Sequence, residues 1–166
     1  VQIAHVLVPD QQLAENSYVI EVPEAADVAD AAPQDTGPEP ILALLASADV
    51  AAGEKLAKKC TACHVFEAGG ANKVGPALWG VVNKAKASVD GFAYSAALAG
   101  FGGAWDYQSL NAFLAKPKSY ISGTKMNFAG LKKPEDRANM VAWMRTMADS
   151  RVPLPTAEDI AAESGS

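Results

Sequence analysis

Cys60-Thr61-Ala62-Cys63-His64 is the stretch on which the reading of this chain turns. Two cysteines separated by two residues and followed at once by a histidine form the signature of covalent haem attachment. One helical turn brings both sulfurs under the two vinyl groups of one porphyrin and turns His64 so that its imidazole meets the iron. Each thiol becomes a thioether, and histidine is among the axial ligands with which proteins hold haem iron. Two competing readings are weaker. A thioredoxin-like redox pair sits in a βαβ pattern, and none is visible here. A structural zinc site needs about four Cys or His ligands. The chain has two cysteines and two histidines, but His5 lies in a remote, poorly patterned segment.

One histidine leaves one face of the iron open. Of the four methionines, Met140, Met144 and Met147 recur at helical spacing within 134–148. There a methionine ordinarily fills gaps in a core. Met126 instead lies between Gly123 and Gly130, in Ile121-Ser122-Gly123-Thr124-Lys125-Met126-Asn127-Phe128-Ala129-Gly130. Such a segment reads as a loop able to carry a side chain across the haem. Opposite histidine, methionine raises the reduction potential relative to two histidines. Met126 is therefore the expected sixth ligand and Met140 the alternative.

The chain has 166 residues, enough for one domain with extensions, and 49% of them are hydrophobic, so a core is feasible. No run approaches the ~20 apolar residues that span a bilayer. The chain opens on Val1, as expected of a processed product or a fragment. Charge divides it sharply. Residues 1–48 hold eight acidic and no basic residues, 49–148 seven acidic and thirteen basic, and 149–166 four acidic residues and one arginine. The net −5 thus comes from the two ends, and the middle carries +6.

Segment 21–40, with prolines 23, 33, 38 and 40 among Ala, Asp and Glu, is expected to stay largely disordered. The short apolar run 1–8 has no evident partner. Residues 41–45 can begin a short helix. Asp49 can cap a helix to about residue 60, with Val50, Gly53, Leu56, Ala57 and Cys60 as one buried stripe. Gly53 costs helix propensity, and its expected use is a close helix crossing. Asp106 can cap a helix from 107 to about 114, ended by Pro117. Pro134, Glu135 and Asp136 suit the start of a last helix that buries Met140, Val141, Met144 and Met147, with Trp143 packed nearby. No strands are required and no internal repeat is present.

Taken in order, the motifs resemble the class I cytochromes c over about 49–147. After Cys60-Thr61-Ala62-Cys63-His64 come Gly75-Pro76-Ala77-Leu78-Trp79-Gly80, Gly91-Phe92-Ala93-Tyr94, Trp105, Lys116-Pro117-Lys118-Ser119-Tyr120 and Gly123-Thr124-Lys125-Met126. The resemblance implies an all-α fold around one covalent haem c with its iron, with the first and last helices of the domain crossing. It implies that the Pro76 carbonyl accepts the free N–H of His64, a bond that sets the tautomer. Tyr94 and Trp105 would donate to a haem propionate, and Lys84 stands where mitochondrial members carry an arginine near it. Thr124 is retained and Phe128 would pack over the haem edge. Leu98 and Phe113 replace an asparagine and a tyrosine, so the polar network beside the methionine is expected to be reduced. The closest resemblance is to proteobacterial membrane-anchored members, which implies a domain organisation of tether (1–48), haem domain (49–148) and acidic disordered tail (149–166). The anchor itself is not in this sequence.

With both faces of the iron occupied, the expected task is one-electron transfer, not catalysis. The expected donor is a quinol-oxidising cytochrome complex and the acceptor cytochrome c oxidase, of the haem–copper type. The setting is the periplasm, with membrane contact only through an anchor. Lys58, Lys59, Lys73, Lys86, Lys116, Lys118, Lys125, Lys132 and Lys133 flank the haem-bearing segments and, as a set, favour acidic docking sites. Nucleic-acid binding is not expected. The alternatives, a c-type haem peroxidase, the haem part of a dehydrogenase, or a gas or redox sensor, need a displaceable ligand or a second cofactor site.

Overall fold

The computed structural model describes residues 37–165, which fall within a single folded unit. Seven helices occur among the described residues: α1 Leu42–Leu45, α2 Val50–Ala57, α3 Ala96–Phe101, α4 Tyr107–Ala115, α5 Pro117–Tyr120, α6 Pro134–Thr146 and α7 Ala157–Ser164. The sole β feature among them is an isolated antiparallel bridge between Ala85 and Ala104.

Short polar side chains start α2, α3, α4 and α7 by satisfying backbone donors that have no intrahelical partner. The Asp49 carboxylate accepts from the N–H groups of Ala51 and Ala52 at 2.8 and 3.0 Å. Asp106 accepts from Ser109 N–H at 2.7 Å to open α4. Helix α6 opens on Pro134, with Glu135 and Asp136 in its first turn facing the positive end of the helix dipole. Pro117 ends α4 as expected and then serves as the first residue of α5.

Helices α2 and α6 cross at Gly53. A Cβ there would stand 2.1 Å from the Asn139 carbonyl oxygen and 2.7 Å from Trp143 Cβ, so the backbones meet at a separation open only to glycine. Asn139 fixes the crossing further by accepting from Asp49 N–H at 2.8 Å. The buried stripe on α2 is narrower than the spacing suggests. Gly53 and Ala57 are buried and Leu56 and Cys60 half-buried, but Val50 is 40% exposed. On α6, Met140, Val141 and Met144 are buried, and Trp143 meets the edge of Phe66 at 4.7 Å. Met147 lies just past the helix and is half-buried.

The boundary expected at 48/49 cuts through the folded unit. Ile41, Leu42 and Leu45 are core residues, with Ile41 at 0% exposure. Arg137 of α6, only 1% exposed, explains why the chain is held there. Its Nε–H donates to Asn111 Oδ1 at 2.6 Å, Nη1 to the carbonyls of Leu131 and Lys132 at 2.9 and 2.7 Å, and Nη2 to the carbonyl and carboxylate of Glu39 at 3.2 and 3.0 Å. All five guanidinium donors are thereby used, the condition under which such a charge can be buried. Glu39, at 68% side-chain exposure, holds the outer end of the pair. The tether reading of residues 1–36, including the apolar run 1–8, lies outside the described residues.

The tail after residue 148, expected to be disordered, is docked over much of its length. Trp79 Nε1–H donates to Asp149 at 3.0 Å and the Tyr107 hydroxyl to the Pro153 carbonyl at 2.8 Å. Thr156 and Asp159 form a reciprocal capping box that starts α7. The Glu163 carboxylate then accepts from the backbone N–H groups of Leu42 and Ile41 at 2.8 and 3.4 Å, supplying α1 with the cap its own sequence lacks. Two of the four acidic residues in the tail, Asp159 and Glu163, thus serve as helix caps.

Candidate haem site

The Cys60–His64 segment continues from α2 as a further helical turn. His64 N–H and Cys63 N–H both donate to the Cys60 carbonyl, at 2.9 and 3.0 Å. This turn sets the two sulfurs and the imidazole at the spacing read from the sequence. Both thiols are free. The loop after it is tied back by Gly75 N–H to the Cys63 carbonyl at 2.9 Å and Leu78 N–H to the Val65 carbonyl at 2.8 Å. Asn72 braces the same loop, accepting from Ala77 N–H and donating to the Asp90 carbonyl, both at 2.9 Å.

Those ties place Pro76 against the histidine. His64 Nδ1–H donates to the Pro76 carbonyl at 2.8 Å, which leaves Nε2 as the nitrogen with a free lone pair. Burial holds the imidazole below the ordinary value of 6.5, against the opposing pull of the Pro76 carbonyl. The neutral form, the one able to ligate, is thus favoured at neutral pH. Gly75 lies flat under the ring, and a Cβ there would stand 2.3 Å from His64 Cε1. Burial, and next the neighbouring Cys63, push the Cys60 thiol up from 9.0, with Lys59 opposing.

All ten residues singled out from the sequence line one cavity of ≈ 310 Å³: Cys60, Cys63, His64, Pro76, Lys84, Tyr94, Trp105, Thr124, Met126 and Phe128. Its remaining walls are mainly apolar, with Phe66, Val81, Leu110 and Leu114 buried around it. Exposed Lys59, Val74 and Lys125 line its open side. Met140 and Met144 of α6 also line it, so the alternative ligand shares the cavity with Met126. Met126 is the methionine carried on a loop. Its N–H donates to the hydroxyl of buried Thr124 at 3.3 Å, which braces that loop from within. Tyr94 oxygen accepts from Val89 N–H at 3.3 Å, which leaves its own proton to donate. Its phenol is pushed up from 10.0 chiefly by burial and so stays protonated. Phe113 stacks at a tilt on Trp105, 4.9 Å between centroids.

This donor set fits a covalently attached haem. Two free thiols and an oriented neutral imidazole stand in one turn, and a glycine keeps the space beside the ring clear. The walls are apolar, and a thioether sulfur is available on the Met126 loop. Sequence reasoning gave Gly75 and Asn72 no separate role, because their contributions are contacts of the folded loop. Of the lysines that flank these segments, Lys86 donates to Ser109 Oγ at 3.1 Å and its ammonium lies against three aromatic rings.

A family model described as cytochrome c matches residues 50–148. The chain is 49% identical over 120 residues to a cytochrome c homolog of Bradyrhizobium diazoefficiens, a match covering 72% of this chain and 65% of that relative. The chain therefore spans slightly less than two thirds of that relative's length. A cytochrome c homolog of Rickettsia felis is 41% identical over 138 residues, covering 83% of this chain and 79% of the relative. Among solved structures, cytochrome cH from Methylobacterium extorquens aligns with a TM-score of 0.55 at 43% identity, covering 59% of this chain and 98% of that one. Helices α1 and α7 lie outside the matched family segment.

Proposed function

Because the chain belongs to the cytochrome c family, which binds haem c covalently, we propose that it is a one-electron carrier with His64 and Met126 as the axial pair. The observation that carries this reading is the convergence of Cys60, Cys63, His64 and Met126 on one largely apolar cavity. When bound, haem supplies reversible one-electron exchange between Fe(II) and Fe(III).

The chain's own residues do the rest. Pro76 and Gly75 hold the imidazole in one tautomer and orientation. Thr124 steadies the loop that carries Met126. The apolar walls exclude water and lower the local dielectric, which favours the less charged state of the site. Tyr94 and Trp105 would supply hydrogen-bond donors to an anionic substituent of the haem, and Lys84, which lines the same cavity, would add a positive charge. His64 and Met126 would hold the iron from within the protein in both oxidation states, which would limit rearrangement on electron transfer.

In this reading the domain takes electrons from a quinol-oxidising cytochrome complex and passes them to a haem–copper oxidase. It works in the periplasm, held near the membrane by sequence on the N-terminal side of the folded unit. No helix among the described residues is long and apolar enough to cross a membrane. Support for the acceptor's acidic face comes from exposed Lys58, Lys59, Lys116 and Lys125 near the cavity-bearing segments. At about 0.15 M salt the Debye length is about 8 Å, so charges close to the docking face count for more than charges farther off. Stopped-flow reduction of the oxidase by the ferrous protein tests the docking. The rate should fall as salt rises, and Lys58, Lys116 or Lys125→Glu should lower it at low salt with little change in potential. A rate that climbs with salt, or ignores all three reversals, contradicts the acidic partner.

A further inference from the structure

Lys86 is caged. Its Nζ lies 5.2 Å from the ring centroids of Phe101 and Trp105 and 5.8 Å from that of Tyr120, within cation–π range of all three. It donates to Ser109 Oγ at 3.1 Å, and the Tyr120 hydroxyl donates to the same oxygen at 3.1 Å. The backbone holds this arrangement from both sides. Lys86 N–H donates to the Gly103 carbonyl at 2.9 Å, and Trp105 N–H to the Lys84 carbonyl at 2.8 Å. Among the described residues no carboxylate comes within ion-pair distance of Lys86. Trp105 lines the haem cavity, and Lys86, which packs against the same ring, is not among the lining residues.

We propose that Lys86 is a positioning residue for the Trp105 indole and, through its uncompensated charge beside that ring, favours the ferrous state of the haem. The inference rests on the haem reading above. A fixed positive charge favours whichever oxidation state is more negative, and Fe(II) is that state by one unit. Water would screen a freely exposed lysine. Lys86 is half-buried and its ammonium is flanked by rings, so its field is screened less than that of a freely exposed lysine. The cation–π contact also holds the plane of the Trp105 indole, which belongs to the cavity wall.

Redox titration of the holoprotein tests this with three variants. Lys86→Met and Lys86→Gln keep the stem and remove the charge. Lys86→Arg keeps a cation that stacks on aromatic faces. The midpoint should move negative in the Met and Gln variants alike, by up to a tenfold change in the Fe(II)/Fe(III) equilibrium, about 59 mV for one electron. The Arg variant should return close to the parent. The methionine–iron charge-transfer band of the ferric protein should persist in all three. Met and Gln variants with the parent's potential, even with a lowered melting temperature, would reduce Lys86 to a packing role and overturn the proposal. A parent protein without haem overturns the haem reading itself, a distinct result.

Discussion

The cavity and the hub around Arg137 share helix α6 but are held together by opposite means. The cavity is lined by apolar walls and a few aimed donors, and it is completed by a group that is not polypeptide. The hub is polar throughout. One buried guanidinium gathers Glu39, Asn111 and the carbonyls of Leu131 and Lys132, and α7 adds Glu163 as a cap for α1. Met140 and Met144 face the cavity while Arg137, a turn or two earlier, faces the hub. One helix therefore serves electron transfer on one face and chain anchoring on another. If so, the two properties should be separable by mutation.

The largest expected effect is at the hub. Arg137→Met leaves the Asn111 oxygen and several carbonyls without their donor and frees the 39–45 segment. A loss of several kcal/mol is expected, at about 1–3 kcal/mol for each buried acceptor left unpaired, read by denaturant unfolding of the holoprotein. The reduction potential of the molecules still folded should stay near the parent's. A large potential shift would show that hub and cavity are not separable.

Gly53→Ala comes next. Helix propensity alone would favour alanine by about 1 kcal/mol. The new Cβ would meet the Asn139 carbonyl at 2.1 Å, a backbone atom that cannot step aside cheaply. Overpacking of about 1–3 kcal/mol or more should win. A stabilised variant would mean that the α2–α6 crossing is looser than described.

The smallest effect is pH-dependent. Its own backbone N–H and then Arg137 hold the Glu39 carboxyl below its ordinary 4.5. A depressed folded value gives stability that is present above the unfolded pKa and is lost as pH falls through the folded one. Glu39→Gln should therefore be less stable than the parent at neutral pH, and the two should converge in acid. A gap of constant size across that range would show that the carboxylate charge does not matter, only its shape.

The same contrast explains what was readable. The cavity was legible because its chemistry binds residue type to local spacing. CXXCH sits within one turn, the Gly75-Pro76 pair follows at a fixed interval, and Met126 falls in a glycine-bracketed loop. Gly53 was legible as well, since a glycine inside a helical stripe asks for a close approach. The hub was not. An arginine among Pro134, Glu135 and Asp136 reads as solvated surface, and Glu39 and Glu163 read as parts of acidic tails. Their pairing spans about a hundred residues, and no local period records it. The surroundings of Lys86 were not legible for a related reason, because its partners Phe101, Ser109 and Tyr120 come together only in the fold.

The central claim, that His64 and Met126 hold the iron from within one cavity, is tested most directly by the ferric visible spectrum of the parent and of Met126→Ala. The parent should be low-spin with a weak methionine–iron charge-transfer band. The variant should lose that band and shift to a lower potential. Survival of the band in Met126→Ala would hand the sixth position to Met140 or another group. A high-spin ferric parent would mean an open iron face, and with it a function other than electron carriage.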